Sequence, residues 1–119
     1  EALPGDHPDR YLLQIHGFSN QNRTSPAGKV ADIILSNGSR SPSAFLTTAR
    51  TRMAQHTGFK TYLYGADIDE LGGTQNSSLA VLAHANQQHQ FIHLELSSET
   101  RKKLKVSQAL RDALWSSWP

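Results

Sequence analysis

Two titratable residues stand at the ends of apolar runs, where partial burial would change their chemistry. YLLQIH, residues 11–16, ends on His16, and QFIHLEL, residues 90–96, carries Glu95 near its end. A neutral imidazole can take up a proton or bind a metal ion at physiological pH. A carboxylate held partly out of water has its pKa raised toward the range that suits general acid–base work. Residues two apart on a strand share a face. Phe91, His93 and Glu95 therefore point one way, and Ile92, Leu94 and Leu96 point the other, into apolar packing. Leu12, Gln14 and His16 share a face by the same rule. If the two strands are neighbours, His16 and Glu95 meet at one edge of the sheet. Each residue also has a plain structural explanation, His16 as a hydrogen-bonded strand end and Glu95 as the first solvated residue after the run.

The elements that must carry these residues follow from pattern and punctuation. Pro4, Gly5 and Pro8 make residues 1–10 an extended lead-in, and residues 11–119 form one α/β domain or the C-terminal part of a larger catalytic domain. Residues 11–15 read as a buried strand that ends just before His16, residues 17–30 as a long polar loop, and residues 31–36 as a second strand. Long loops in compact domains tend to be functional. Ser41 is the expected N-cap of a helix with Pro42 in its first turn. Phe45, Ala49 and Met53 line one face of that helix, and Gly58 ends it. Residues 59–65 form a strand, 66–74 a loop, 77–86 a short apolar helix and 89–96 the last strand. The tail is helical in two pieces, with Ser107 capping the second and Val106, Leu110, Leu114 and Trp118 four apart. Strands alternating with helices argue for a layered α/β fold whose sheet is largely parallel or mixed.

Composition narrows the chemistry. The 119 residues include no cysteine, so disulfides, thiolate nucleophiles and Cys-ligated zinc are excluded. Cysteine absence is compatible with a cytoplasmic or an exported protein. Glu1 reads as a processed or trimmed start, and no stretch approaches the ~20 apolar residues of a membrane span. Net charge is +2, with RKKLK at 101–105 the only basic run. A nucleic-acid site would show a denser basic stripe with interleaved aromatics, so neither nucleic acid nor membrane is expected as a partner. IHGFS at 15–19 has the flavour of an α/β-hydrolase oxyanion turn, but no Gly-x-Ser-x-Gly elbow accompanies it. The His-Glu-x-x-His helix of zincins is absent too. His89 and His93, four apart on a strand, do not converge on a metal, and His56 and His84 read as surface residues on helices.

The order of short motifs carries a resemblance. His16-Gly17-Phe18-Ser19 is followed by a loop, a strand and a helix, then by Tyr62-Leu63-Tyr64-Gly65, Gly72-Gly73-Thr74, and Phe91-Ile92-His93-Leu94-Glu95-Leu96 before a C-terminal helix. In this order the chain resembles the C-terminal half of the zinc metallocarboxypeptidase catalytic domain, with the related amidohydrolases that act on N-formylglutamate and poly-γ-glutamate. The resemblance spans residues 11–118. It implies zinc as cofactor, His16 as the third metal ligand and Glu95 as the general acid/base for an amide or peptide substrate. It also implies that Gln75, after the Gly-Gly-Thr turn, lies near the side-chain pocket. Asn76 and Arg101 are weaker candidates for substrate contact, with a helix cap and a solvated helix residue as their structural alternatives.

The sequence departs from that family's pattern in respects that matter: residues 66–71 contain no counterpart of its mobile active-site Tyr, its substrate-holding arginines lie upstream, and so do two metal ligands. The first two zinc ligands form a His-x-x-Glu or His-x-x-Asp pair upstream of the third, and no such pair occurs in these residues. The resemblance therefore implies a further segment that supplies the other ligands. The alternatives are a metal-free degenerate relative and a small α/β binding module without catalysis.

Overall fold

Every residue of the strand Phe91–Ser97 is buried: it lies inside the sheet with a strand on each side, and packing covers both of the sheet's faces. The computed structural model describes residues 11–84 and 90–119. Its elements run β1 (Leu12–Phe18), a 3₁₀ turn (Asn20–Asn22), α1 (Pro26–Val30), β2 (Ile33–Ser36), α2 (Ala44–Thr57), β3 (Thr61–Leu63), α3 (Ser77–His84), β4 (Phe91–Ser97), α4 (Ser98–Val106) and α5 (Gln108–Trp115). The four strands form one mixed sheet in the order β1-β4-β2-β3. β1 pairs parallel with β4, β2 pairs parallel with β3, and β2 and β4 are antiparallel. This is the layered α/β architecture that the alternation of elements predicts.

The sheet has two differently furnished faces. On one, Ile33, Leu35, Leu63, Ile92, Leu94 and Leu96 pack against Leu46, Ala49 and Met53 of α2, Leu104 of α4 and Leu114 of α5. Burying these side chains is the main source of stability, at about 1.5–3 kcal/mol for each large aliphatic removed from water. On the other, Phe18, Ala31, Ile34, Tyr64 and Ile68 form a smaller cluster. The second face has polar residues where the first has aliphatics, and the candidate chemistry lies there.

Several boundaries differ from the expectation, each for a local reason. β1 extends through Phe18, so His16 lies within the strand and not after it, because pairing with β4 continues to Ser97. The N-cap of α2 is Ser43, whose Oγ accepts from the Leu46 N–H, so Ser41 and Pro42 precede the helix. Gly58 does end α2, in the left-handed conformation. The loop 17–30 contains α1, five residues capped by Ser25 and too short to show a helical period. β3 is three residues long and not seven. Ser107 caps α5 as expected, but Val106 belongs to α4, is exposed, and does not share the face of Leu110 and Leu114. Residues 1–10 and His89 lie outside the described residues. No helix among the described residues is long and apolar enough to cross a membrane.

Candidate functional site at the β1–β4 edge

β1 and β4 run parallel with their carboxyl ends on the same side, and their register sets His16 directly beside Glu95 and Gln14 beside His93. All four residues lie within the strands, His16 and Glu95 two residues before the strand ends, so they stand on a face of the sheet toward its carboxyl end. Alternation along each strand puts Gln14, His16, His93 and Glu95 on one face. The His16 and His93 rings lie 4.7 Å apart between centroids, tilted by 32°. His93 Nε2 is 3.6 Å from Glu95 Oε2. Glu95 is only 6 % exposed, and its Oε1 has no hydrogen-bond partner among the described residues.

Electrostatics follow from that burial. Desolvation pushes the Glu95 carboxyl up to about 7, against the opposing pull of the Arg23 and Arg101 guanidinium groups. Burial, with the neighbouring His16 adding to it, holds His93 down near 4, while the backbone of Leu71 opposes. At neutral pH the site therefore holds a neutral His93 beside a carboxyl poised between its two forms.

The surrounding loops fix Arg23 and the roof over His93. Glu70 accepts from Ser25 Oγ at 2.6 Å and from the backbone N–H groups of Ser25 and Thr24, which ties residues 66–71 to the start of α1. The Ser25 hydroxyl bond is the main reason the Glu70 carboxyl falls to about 2. Arg23 lies 3.8 Å from Glu70 and 3.4 Å from the Ser19 carbonyl, which sets it on the Glu95 side. Arg101 leaves α4 and covers Gly17: a Cβ there would come within 2.4 Å of its guanidinium. Leu71 adopts a left-handed backbone, φ 62°, a conformation costing a non-glycine residue roughly 1–2 kcal/mol. Ser36 Oγ holds the following turn by donating to the Gly72 carbonyl at 2.6 Å.

Gly73 closes this roof. Its φ is +63°, and a Cβ would stand 2.6 Å from the His93 ring. Gly73→Ala should therefore lower the melting temperature and displace His93, seen as a change in its ring NMR signals. An unchanged melting temperature with unmoved His93 signals would contradict the close approach.

The structure brings together most of the residues singled out from sequence. His16 and Glu95 are cross-strand neighbours, and Arg101 acts on Glu95. Asn76 reaches the site through Gln14, to whose Oε1 its side-chain amide donates, and it also stands at the helix-cap position before α3. Gln75 is exposed in a turn. His56 is exposed on α2, as expected, but it has a partner, since its Nδ1 lies 3.2 Å from Ser117 Oγ. Sequence reasoning missed Gln14 and His93 as site members, although alternation put both on the right face. Arg23 gave no periodic signal; only its place in a long polar loop pointed to it.

The donor set does not make a metal centre by itself. Among the described residues there is no group of three or more His, Cys, Asp or Glu side chains that could hold a metal ion. Of the expected zinc ligands they contain His16 alone. A comparison with family models, with curated proteins and with solved structures finds no match to this chain.

Proposed function

We propose that this chain carries the acid–base half of an amide- or peptide-bond hydrolase, with Glu95 as the proton-transferring group. The observation that supports this reading most is the buried carboxyl of Glu95, unpartnered at Oε1, beside His16 on the same face of two parallel strands. Amide hydrolysis needs one group to take a proton from the attacking water and return it to the leaving amine. A carboxyl near pH 7 serves both steps with little free-energy loss in either direction. Arg101 and Arg23 keep its pKa from rising further, and their fork-like donors suit a substrate carboxylate or a developing oxyanion. His16 faces the same space.

Zinc is the cofactor that the resemblance to metallocarboxypeptidases and N-formylglutamate-type amidohydrolases implies. These residues do not hold it alone, so the reading calls for a further segment with the remaining ligands, and no proton transfer above depends on the metal. The test uses the complete protein, assayed for amine release from N-acyl amino acids and blocked peptides with and without added zinc. Turnover is the expected result. Saturable binding of these compounds without amine release would overturn the hydrolase and leave a binding module.

A further inference from the structure

His16 has two ring nitrogens, and only the one without a proton can act as base or ligand. A chain of hydrogen bonds decides which one it is. It starts at the backbone N–H of Ser78, a group that can only donate. That N–H donates to Asn76 Oδ1 at 2.8 Å. The Asn76 amide is thereby oriented, and its NH₂ donates to Gln14 Oε1. Gln14 is oriented in turn, with its own NH₂ donating to Ser78 Oγ at 2.6 Å. Gln14 Oε1 lies 3.3 Å from His16 Nε2. A carbonyl oxygen only accepts, so His16 Nε2 must be the donor.

We propose that Gln14 and Asn76 are positioning residues that fix the tautomer of neutral His16, with the proton on Nε2 and the lone pair presented on Nδ1. Nδ1 is then the atom that meets an electrophile, whether a proton or a metal ion. Second-sphere partners of this kind commonly set ring orientation and basicity at catalytic and metal sites. Asn76 is itself anchored: its N–H donates to the Gly73 carbonyl at 3.2 Å, and its carbonyl accepts from Ala80 N–H at 3.1 Å. The turn that roofs His93 thus also orients His16. The functional weight of this tautomer rests on the reading of His16 as a site residue, but the tautomer itself does not depend on hydrolysis.

Long-range ¹H–¹⁵N correlation spectra of the histidine-labelled complete protein read the tautomer directly, at a pH where the imidazole is neutral, with His16→Gln identifying the signals. The wild type is expected to show a protonated Nε2. Gln14→Leu removes the acceptor, and the preference should give way to a mixture. Asn76→Asp is the sharper variant. Its carboxylate can only accept, so the Gln14 amide must turn over, offer its NH₂ to His16 Nε2 and move the ring proton to Nδ1. A wild-type proton on Nδ1, or a tautomer unchanged in both variants, would overturn the proposal. Loss of amide hydrolysis in all assays would leave these spectra unaltered, so the two readings fail separately.

Discussion

Glu95→Gln is expected to leave the fold intact and to lower amide turnover by about 10²–10⁴-fold, the span that a positioned acid–base group usually contributes. The exchange keeps the side chain's shape and its place on β4 and removes its capacity to accept and return a proton. Folding should not suffer. The native carboxyl is buried without a partner at Oε1, and near pH 8 its charge is a burden on the folded state. The variant should therefore melt no lower than wild type at that pH while hydrolysis falls. Steady-state kinetics beside a thermal melt separate the two effects. Turnover within a few-fold of wild type, on a folded variant, would remove Glu95 from the acid–base role.

The largest stability effect is one that the native protein conceals. Glu95 has a folded pKa of about 7 against an ordinary 4.5. Its stabilisation is present below pH 4.5 and is lost as pH rises through 7. His93 has a folded pKa of about 4 against an ordinary 6.5. Its contribution is present above pH 6.5 and is lost as pH falls through 4. Between about 4.5 and 6.5 the pair holds one proton in either state, on Glu95 when folded and on the histidine when unfolded. Proton counts match, so the two opposing slopes cancel and the pair leaves stability flat across that window. Single substitutions expose the hidden slopes. Glu95→Gln should lose on the order of 3 kcal/mol as pH is taken from 6.5 to 4, and His93→Gln a similar amount as pH is raised from 4.5 to 7. Urea midpoints at several pH values measure both. Glu70, with its carboxyl near 2, adds acid sensitivity below 4.5 in all three proteins alike. Variants with the same pH profile as wild type would show that the two groups do not titrate in this opposed way.

Strand alternation alone makes the shared face of Phe91, His93 and Glu95 legible in the sequence, and α2, Gly58 and the Ser107 cap follow from spacing and punctuation. Three things cannot be read that way. The adjacency of β1 and β4 depends on strand order, which local pattern does not encode, so the meeting of His16 and Glu95 is only conditional in the sequence. The N-cap of α2 falls at Ser43 and not at the expected Ser41, and what marks it is a side-chain bond, Ser43 Oγ accepting from the Leu46 N–H. The relay from Ser78 through Asn76 and Gln14 joins residues far apart in the chain by side-chain bonds, and such bonds leave no trace in periodicity.

The strand order has a consequence for how the protein is made. Of the four strands β4 is synthesised last, yet it lies between β1 and β2, the two made first. Until it emerges, β1 has no neighbour in this sheet, and only the β2–β3 pair can form. Closing β1 onto β4 joins strands more than seventy residues apart, from Leu12 to Phe91, and such non-local closure is entropically expensive and slow. The nascent chain therefore carries His16 on an unsheltered apolar strand while all the intervening residues are added, open to pairing with other chains. Insertion of β4 ends that exposure and brings Glu95 to His16 in the same event, so an assembled site is also a report that the sheet has closed.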